Sequence, residues 1–271
     1  MATGPHTAVE RRMSAGRVFE RAFGTLLHNP LVTLGLAFLL GGLPGLLTGY
    51  FFSSMTAEAT QTMAQGAFDS STMGMFWGIW LLSMIVGLVI SALVLAVITR
   101  ATIAESEGRR ASIGECLSAA VPVVLPLIGL SLLLAIGVGI GMILLLVPGI
   151  ILYMMWCVAA PVLIEERLGV FDSFGRSRAL TSGARWKIFG IMLLLIAIYY
   201  LLILAFGAAG FSTFEATPGT TPQLSAGFII GSVVIGTLAN ALWSTVQASL
   251  YIELRNWKDG PQTENLEEVF A

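Results

Sequence analysis

The sequence predicts an all-α, polytopic membrane protein with six transmembrane helices, and three observations carry that expectation. Of 271 residues, 56% are hydrophobic and 11% are charged, against about 25% charged in an ordinary soluble domain. The apolar residues lie in long runs rather than in alternation, and mean hydropathy is +0.86, the pattern of successive spans rather than of one large soluble core. Every Lys and Arg lies outside the runs or at their ends, and the connectors at 54–74 and 212–226 contain none. A net charge of −2 gives no electrostatic case for a nucleic-acid partner.

Residues 1–30 read as a polar tail and an amphipathic helix. From Ser14 to Asn29, Val18, Phe19, Ala22, Phe23, Leu26 and Leu27 form one apolar stripe at helical spacing, with Arg17, Glu20 and Arg21 off it. Ser14 is a suitable N-cap, and such a helix suits the headgroup layer. No short apolar core with a small-residue cleavage site precedes the first run, so that run is expected to be retained.

The membrane domain is expected over 31–252, with spans at about 31–53, 75–99, 122–147, 149–164, 188–211 and 227–252. Span one carries Pro44 and glycines at 41, 45 and 49. These predict a kink with close helix packing; the alternative is a broken helix that holds an ion. Span three carries Gly137 and Gly141 at the spacing of close backbone approach. Pro148-Gly149 predicts a tight hairpin turn into span four. Span four then has only about sixteen residues, about 24 Å of helix, short for a hydrocarbon core of about 30 Å. Trp156 lies deep within it and is expected to pack in the bundle. In span six, Ser232, Gly236, Asn240, Ser244 and Ala248 recur every four residues, with Gln247 beside them. This polar seam is expected to face the bundle interior. Residues 253–271 read as a frayed polar tail.

The four basic segments hold all 14 Lys and Arg residues. By the positive-inside rule those segments, the amphipathic helices and both termini are cytoplasmic. A coarse threefold pattern is also visible: an amphipathic helix leads into a span at Ala15, Ile113 and Val170, with Gly35, Gly129 and Gly190 early in each span. It suggests three parallel helix-hairpin repeats.

The stretch PGIILYMMWCVAAPVLIEE followed by FDSFGRSRALTSGARWKIFG resembles the glycerophosphoryl diester phosphodiesterase membrane-domain family and related bacterial six-span families of unknown function. Pro148, Gly149, Trp156, Ala160, Pro161, Glu165, Ser177, Leu180, Thr181, Gly183 and Trp186 fit its pattern, and Ser173 stands where the family has Ala. Tyr251, Leu254 and Arg255 fit its closing segment. The resemblance implies an integral module of a bacterial inner membrane. It does not imply phosphodiesterase activity, because the catalytic barrel to which such modules are fused needs histidines and metal-binding carboxylates, and only His6 and His28 are present, both before span one.

No catalytic constellation, cofactor motif or metal spacing is found, and Cys116 and Cys157 suit neither a metal site nor a disulfide. The expected role is therefore non-enzymatic: a membrane module that assists or scaffolds envelope lipids or proteins. The partners expected are the bilayer, anionic headgroups or another membrane protein. Arg176, Arg178, Arg185 and Lys187 are the candidate headgroup ligands. Glu165 is a candidate interfacial acid, with Glu165 and Glu166 expected to close span four and to pair with Arg167, Arg176 or Arg178. The alternative is a small-molecule or lipid transporter or channel that uses Asn240, Ser244 and Gln247. A lipid-modifying enzyme has support only from the family name.

Overall fold

The computed structural model describes residues 13–51, 54, 70–109, 111–208, 214–215 and 223–260. The expected tails at 1–12 and 261–271, and most of the connectors at 54–74 and 212–226, lie outside the described residues. Helices make up nearly all of the rest. They are α1 (Ala15–His28), α2 (Leu31–Phe51), α3 (Ser70–Ser106), α4 (Ile113–Ala120), α5 (Val124–Leu144), α6 (Leu146–Trp156), α7 (Ala159–Glu166), α8 (Val170–Thr181), α9 (Arg185–Ala208) and α10 (Ala226–Asp259). A two-residue antiparallel ladder, β1 (Phe214–Glu215) with β2 (Gln223–Leu224), precedes α10.

Six helical stretches are long and apolar enough to cross a membrane: Leu31–Phe51, Trp77–Ser106, Ile113–Leu144, Leu146–Glu166, Arg185–Gly207 and Ala226–Asp259. Several outrun the apolar runs that predict them. The 34 residues of α10 make about 51 Å of helix, so its C-terminal turns extend beyond a hydrocarbon core of about 30 Å. The segment from Glu253 to Asp259, expected to fray, is the end of that helix.

Three local expectations are corrected. The turn before span four is at Leu145, which is extended (φ −160°, ψ 133°), and not at Pro148-Gly149. Pro148 lies in the first turn of α6, where a missing N–H breaks no helical bond. Gly149 instead lets α6 lie against α5: a Cβ there would sit 2.7 Å from the Met142 backbone nitrogen. Span four consequently runs for 21 residues from Leu146 to Glu166 and is not short. In span one, two π-helical segments, Leu31–Gly35 and Phe38–Gly42, precede Pro44. Gly41, Gly45 and Gly49 have ordinary clearances of 3.6–3.8 Å to side chains of Val94, Val233 and Ile229. The close approach is at Gly42, where a Cβ would meet Thr237 Oγ1 at 2.9 Å.

The basic residues and their acidic partners tie six helix ends together. Ser14 and Arg17 at the start of α1 bond Glu253 of α10, and His28 at its end meets Glu105 of α3. Arg100 of α3 pairs with Glu165 of α7, and Lys187 of α9 donates to the Met13 carbonyl at 2.7 Å. This basic end is also where the core lies. One buried cluster joins α1, α7, α8, α9 and α10 through Val18, Val162, Leu180, Ile188 and Leu250. A second joins α3, α4, α5 and α7 through Val97, Cys116, Leu127 and Leu163. Packing loosens toward the opposite end. The buried residues of α10 all fall between Ala241 and Leu254, while in α3 Trp77, Trp80, Leu81 and Leu82 are exposed and Ala96, Val97 and Ile98 are buried.

Candidate functional site: two cavities along the sixth span

Where the helices part, two cavities form. The first, of about 500 Å³, lies among α3, α5, α6, α7, α9 and α10, with Leu130, Leu195, Leu202 and Trp243 among its apolar walls. The second, of about 510 Å³, lies among α2, α3 and α10 and is bordered by Gly45, Ser83, Gly87, Ser232, Gly236 and Thr237. Ser91 and Asn240 line both. Among the described residues, no Asp, Glu, His, Lys, Arg or Cys borders either cavity. The glycine repeat of α2 and the polar seam of α10 therefore meet around a space rather than against one another, and Ser83, Gly87 and Ser91, at the same four-residue spacing in α3, border it too.

The seam residues divide at this point. Ser244 and Ala248 are buried in the bundle as expected, whereas Ser232, Gly236 and Asn240 are exposed along the second cavity. Ser244 Oγ donates to Asn240 Oδ1 at 3.3 Å, so the Asn240 amide N–H groups are left as the donors of this rung. Gln247 has a further task. Pro161 has no N–H to offer the carbonyl four residues earlier, that of Cys157, and the helix breaks at Cys157–Val158 between α6 and α7. Gln247 Nε2 donates to that Cys157 carbonyl at 2.5 Å. On the other side of the break the Met155 carbonyl accepts from Ser177 Oγ at 2.8 Å and from Thr181 Oγ1 at 3.4 Å. The discontinuous helix is thus in span four, not at Pro44 of span one, and α8 and α10 satisfy its freed carbonyls. Trp156 closes the same region, packing on Phe174 with ring centroids 4.9 Å apart and filling the space left open by Gly137.

At the basic end Glu166 pairs with Arg176, one of the partners expected, whereas Glu165 pairs with Arg100 instead. Glu165 bonds Arg100 at 2.9 Å, and Glu166 bonds Arg176 at 3.0 Å and accepts from Tyr251 Oη at 3.0 Å. Arg176 also pairs with Asp259. Burial lowers the affinity of the Arg176 guanidinium for its proton, but the bonds to Asp259 and Glu166 outweigh it and leave the pKa raised. Arg167 ends α7 in the left-handed conformation at φ 51°. Of the four candidate headgroup ligands, Arg176 and the exposed Lys187 are bonded to other groups of the protein, whereas Arg178 is exposed and Arg185 is half-buried with its Nε unpartnered. Trp186 (85% exposed) follows Arg185 in the chain, and Phe171 (77% exposed) lies two helical turns before Arg178 in α8.

Sequence reasoning did not find the node at Glu253. This carboxylate is 4% exposed and accepts from the Ser14 backbone N–H at 3.1 Å and from Arg17 Nε and Nη2 at 2.9 and 2.5 Å. The hydrogen bond and charge of Glu253 raise the pKa of Arg17, while burial lowers that of Arg21, whose Nη1 donates to the Ser249 carbonyl at 3.3 Å. The signal was present in the spacing: Glu253 continues the helical phase of the buried Ser249, Leu250 and Leu254. Among the described residues no group of His, Cys, Asp and Glu suited to a metal ion is found, and Cys116 and Cys157 are free and buried. In comparisons with known proteins, no family model, curated protein or solved structure matches this chain.

Proposed function

We propose that this chain is a non-enzymatic lipid-handling module of a bacterial inner membrane, which holds a lipid between its spans and so assists or scaffolds envelope lipids or proteins. The observation that carries this reading is the pair of uncharged, largely apolar cavities that meet at Ser91 and Asn240. A proton-coupled path needs ionisable groups within the membrane, and covalent catalysis needs an activated nucleophile with a base in reach. The residues around these cavities favour binding over either chemistry.

In this reading the basic end is cytoplasmic, by the asymmetry of Lys and Arg, and so are both termini and the amphipathic helices α1, α4 and α8. Arg178 and Arg185, with the exposed Trp186 and Phe171 on the same segment, meet anionic headgroups there. α1 and α8 precede the first and fifth spans, and α4 begins the third apolar stretch, an order that supports three parallel helix-hairpin repeats. Membership of the glycerophosphoryl diester phosphodiesterase membrane-domain family rests on the motif between Pro148 and Trp186.

The test is native mass spectrometry of the protein extracted with its own lipids, compared with Gly236→Leu. A Cβ on Gly236 meets nothing within 4 Å, so the leucine side chain starts into open space at the wall of the second cavity, and helix propensity favours it. Bound lipid should survive on the wild type and fall at least severalfold on the variant; equal loading of the two would refute the reading. A second reading, transport of a small molecule, draws on the stagger of the cavities along α10, one bordered by residues 239–247 and the other by 232–240. It requires flux in liposomes that Asn240→Leu and Gln247→Leu abolish.

A further inference from the structure

We propose that the lipid held at the junction of the two cavities is electrically neutral, with a hydroxyl or ester head of the glyceride type, and that Asn240 is the residue that fixes that head. The proposal rests on the lipid-handling reading above and narrows it to a chemical class.

Three observations favour a neutral head over a phosphate or carboxylate. Among the described residues, no cationic side chain borders either cavity. The nearest arginine of α3 to Ser91 is Arg100, about 14 Å along the helix axis, and Arg100 is already engaged with Glu165 and the Ile164 carbonyl. An anion at the junction would be desolvated with no counter-charge, which is strongly unfavourable. The polar groups at the junction are instead amides and hydroxyls. Ser244 holds Asn240 Oδ1, which leaves the amide N–H groups to donate to a carbonyl or hydroxyl oxygen. Gln247 uses one N–H on the Cys157 carbonyl and keeps its Oε1 to accept from a hydroxyl. A ligand with both an ester carbonyl and a hydroxyl answers this donor-and-acceptor pair. Its acyl chain would lie on the leucine-rich wall of the first cavity, at Leu130, Leu195 and Leu202.

The experiment uses the full chain in nanodiscs and a monoacylglycerol bearing a diazirine in its acyl chain, with labelled peptides mapped after irradiation. Competition is measured with the unlabelled monoacylglycerol, the free fatty acid at alkaline pH and the lysophosphatidic acid of the same chain. The expected result is labelling within the cavity-lining parts of α3, α9 and α10, with the monoacylglycerol competing at a concentration at least tenfold below either anion. Asn240→Leu should weaken labelling about tenfold, and Asn240→Gln should retain most of it. Equal competition by the anions, or unchanged labelling in Asn240→Leu, overturns the proposal while leaving lipid binding in place. Labelling of none of the cavity residues by any of the three chains overturns the lipid-handling reading as well. The competition series on the wild type stands whether or not a variant folds.

Discussion

Replacing Gln247 by Leu should destabilise the protein by about 1–2 kcal/mol, and removing Pro161 should cancel most of that loss. Gln247 Nε2 donates to the Cys157 carbonyl at 2.5 Å, and Cys157 is fully buried. Leaving a buried carbonyl unpaired costs about 1–3 kcal/mol. Interhelical hydrogen bonds inside membrane proteins average about 0.6 kcal/mol and reach about 1.7 kcal/mol, because the freed group finds other partners. Here the other partner is missing, since position 161 is proline, which puts the expected cost at the upper end. In Pro161→Ala the new backbone N–H can close the helical bond to the same carbonyl, so Gln247 becomes redundant there. A double-mutant cycle should give a coupling of about 1 kcal/mol. The assay is thermal unfolding of wild type, both single variants and the double variant in one detergent, with each kcal/mol worth about 2–4 °C for a chain of this size class. An equal cost of Gln247→Leu in the wild-type background and in the Pro161→Ala background would refute the account of the helix break.

Three further outcomes are expected. Glu253→Ala removes the acceptor of the Ser14 N–H and of two Arg17 donors; with Arg17 half exposed and able to rehydrate, the cost should be about 1–2 kcal/mol, seen as faster amide exchange confined to α1. Gly149→Ala forces a Cβ to 2.7 Å from the Met142 backbone nitrogen and should lower stability by about 1–3 kcal/mol, whereas Gly87→Ala, with nothing within 4 Å, should be neutral or stabilising in the same melt. A cysteine introduced at Ser70 or Thr220 should react with an impermeant thiol reagent applied to intact cells, as the basic-end-inside topology requires; reaction only after permeabilisation would reverse that topology.

The spans were legible because a run of twenty apolar residues has few other physical solutions. The helix break was not. Proline at 44 and proline at 161 look alike in sequence, yet two π-helical segments precede Pro44, while at Pro161 the break is held open by Ser177 and Gln247 from distant helices. Pro148-Gly149 misled for a related reason. A proline and a glycine mark a turn or a close contact equally well, and only the proximity of Met142 decides between them. The polar seam of α10 was legible as a stripe, but periodicity gives a direction and not what lies there. Both Ser244 and Asn240 border the first cavity, but Ser244 is buried there while Asn240 is exposed and borders the second cavity as well. Glu253 escaped notice because an acidic residue near a chain end reads as solvated, and its partners, Ser14 and Arg17, are more than 230 positions away.

That separation has a consequence for biosynthesis. The carboxylate that seats α1 belongs to the last helix, so α1 leaves the ribosome first and acquires its anchor only after five spans have followed it. Throughout that interval neither Glu253 nor the Ser249 carbonyl is there for Arg17 and Arg21 to bind. Until then the first helix has only its contacts with earlier elements, such as His28 with Glu105 of α3, and closure of the clasp reports that the sixth helix has reached its place. A nascent chain arrested before α10 should therefore leave α1 open to protease, and one arrested after Asp259 has emerged should protect it.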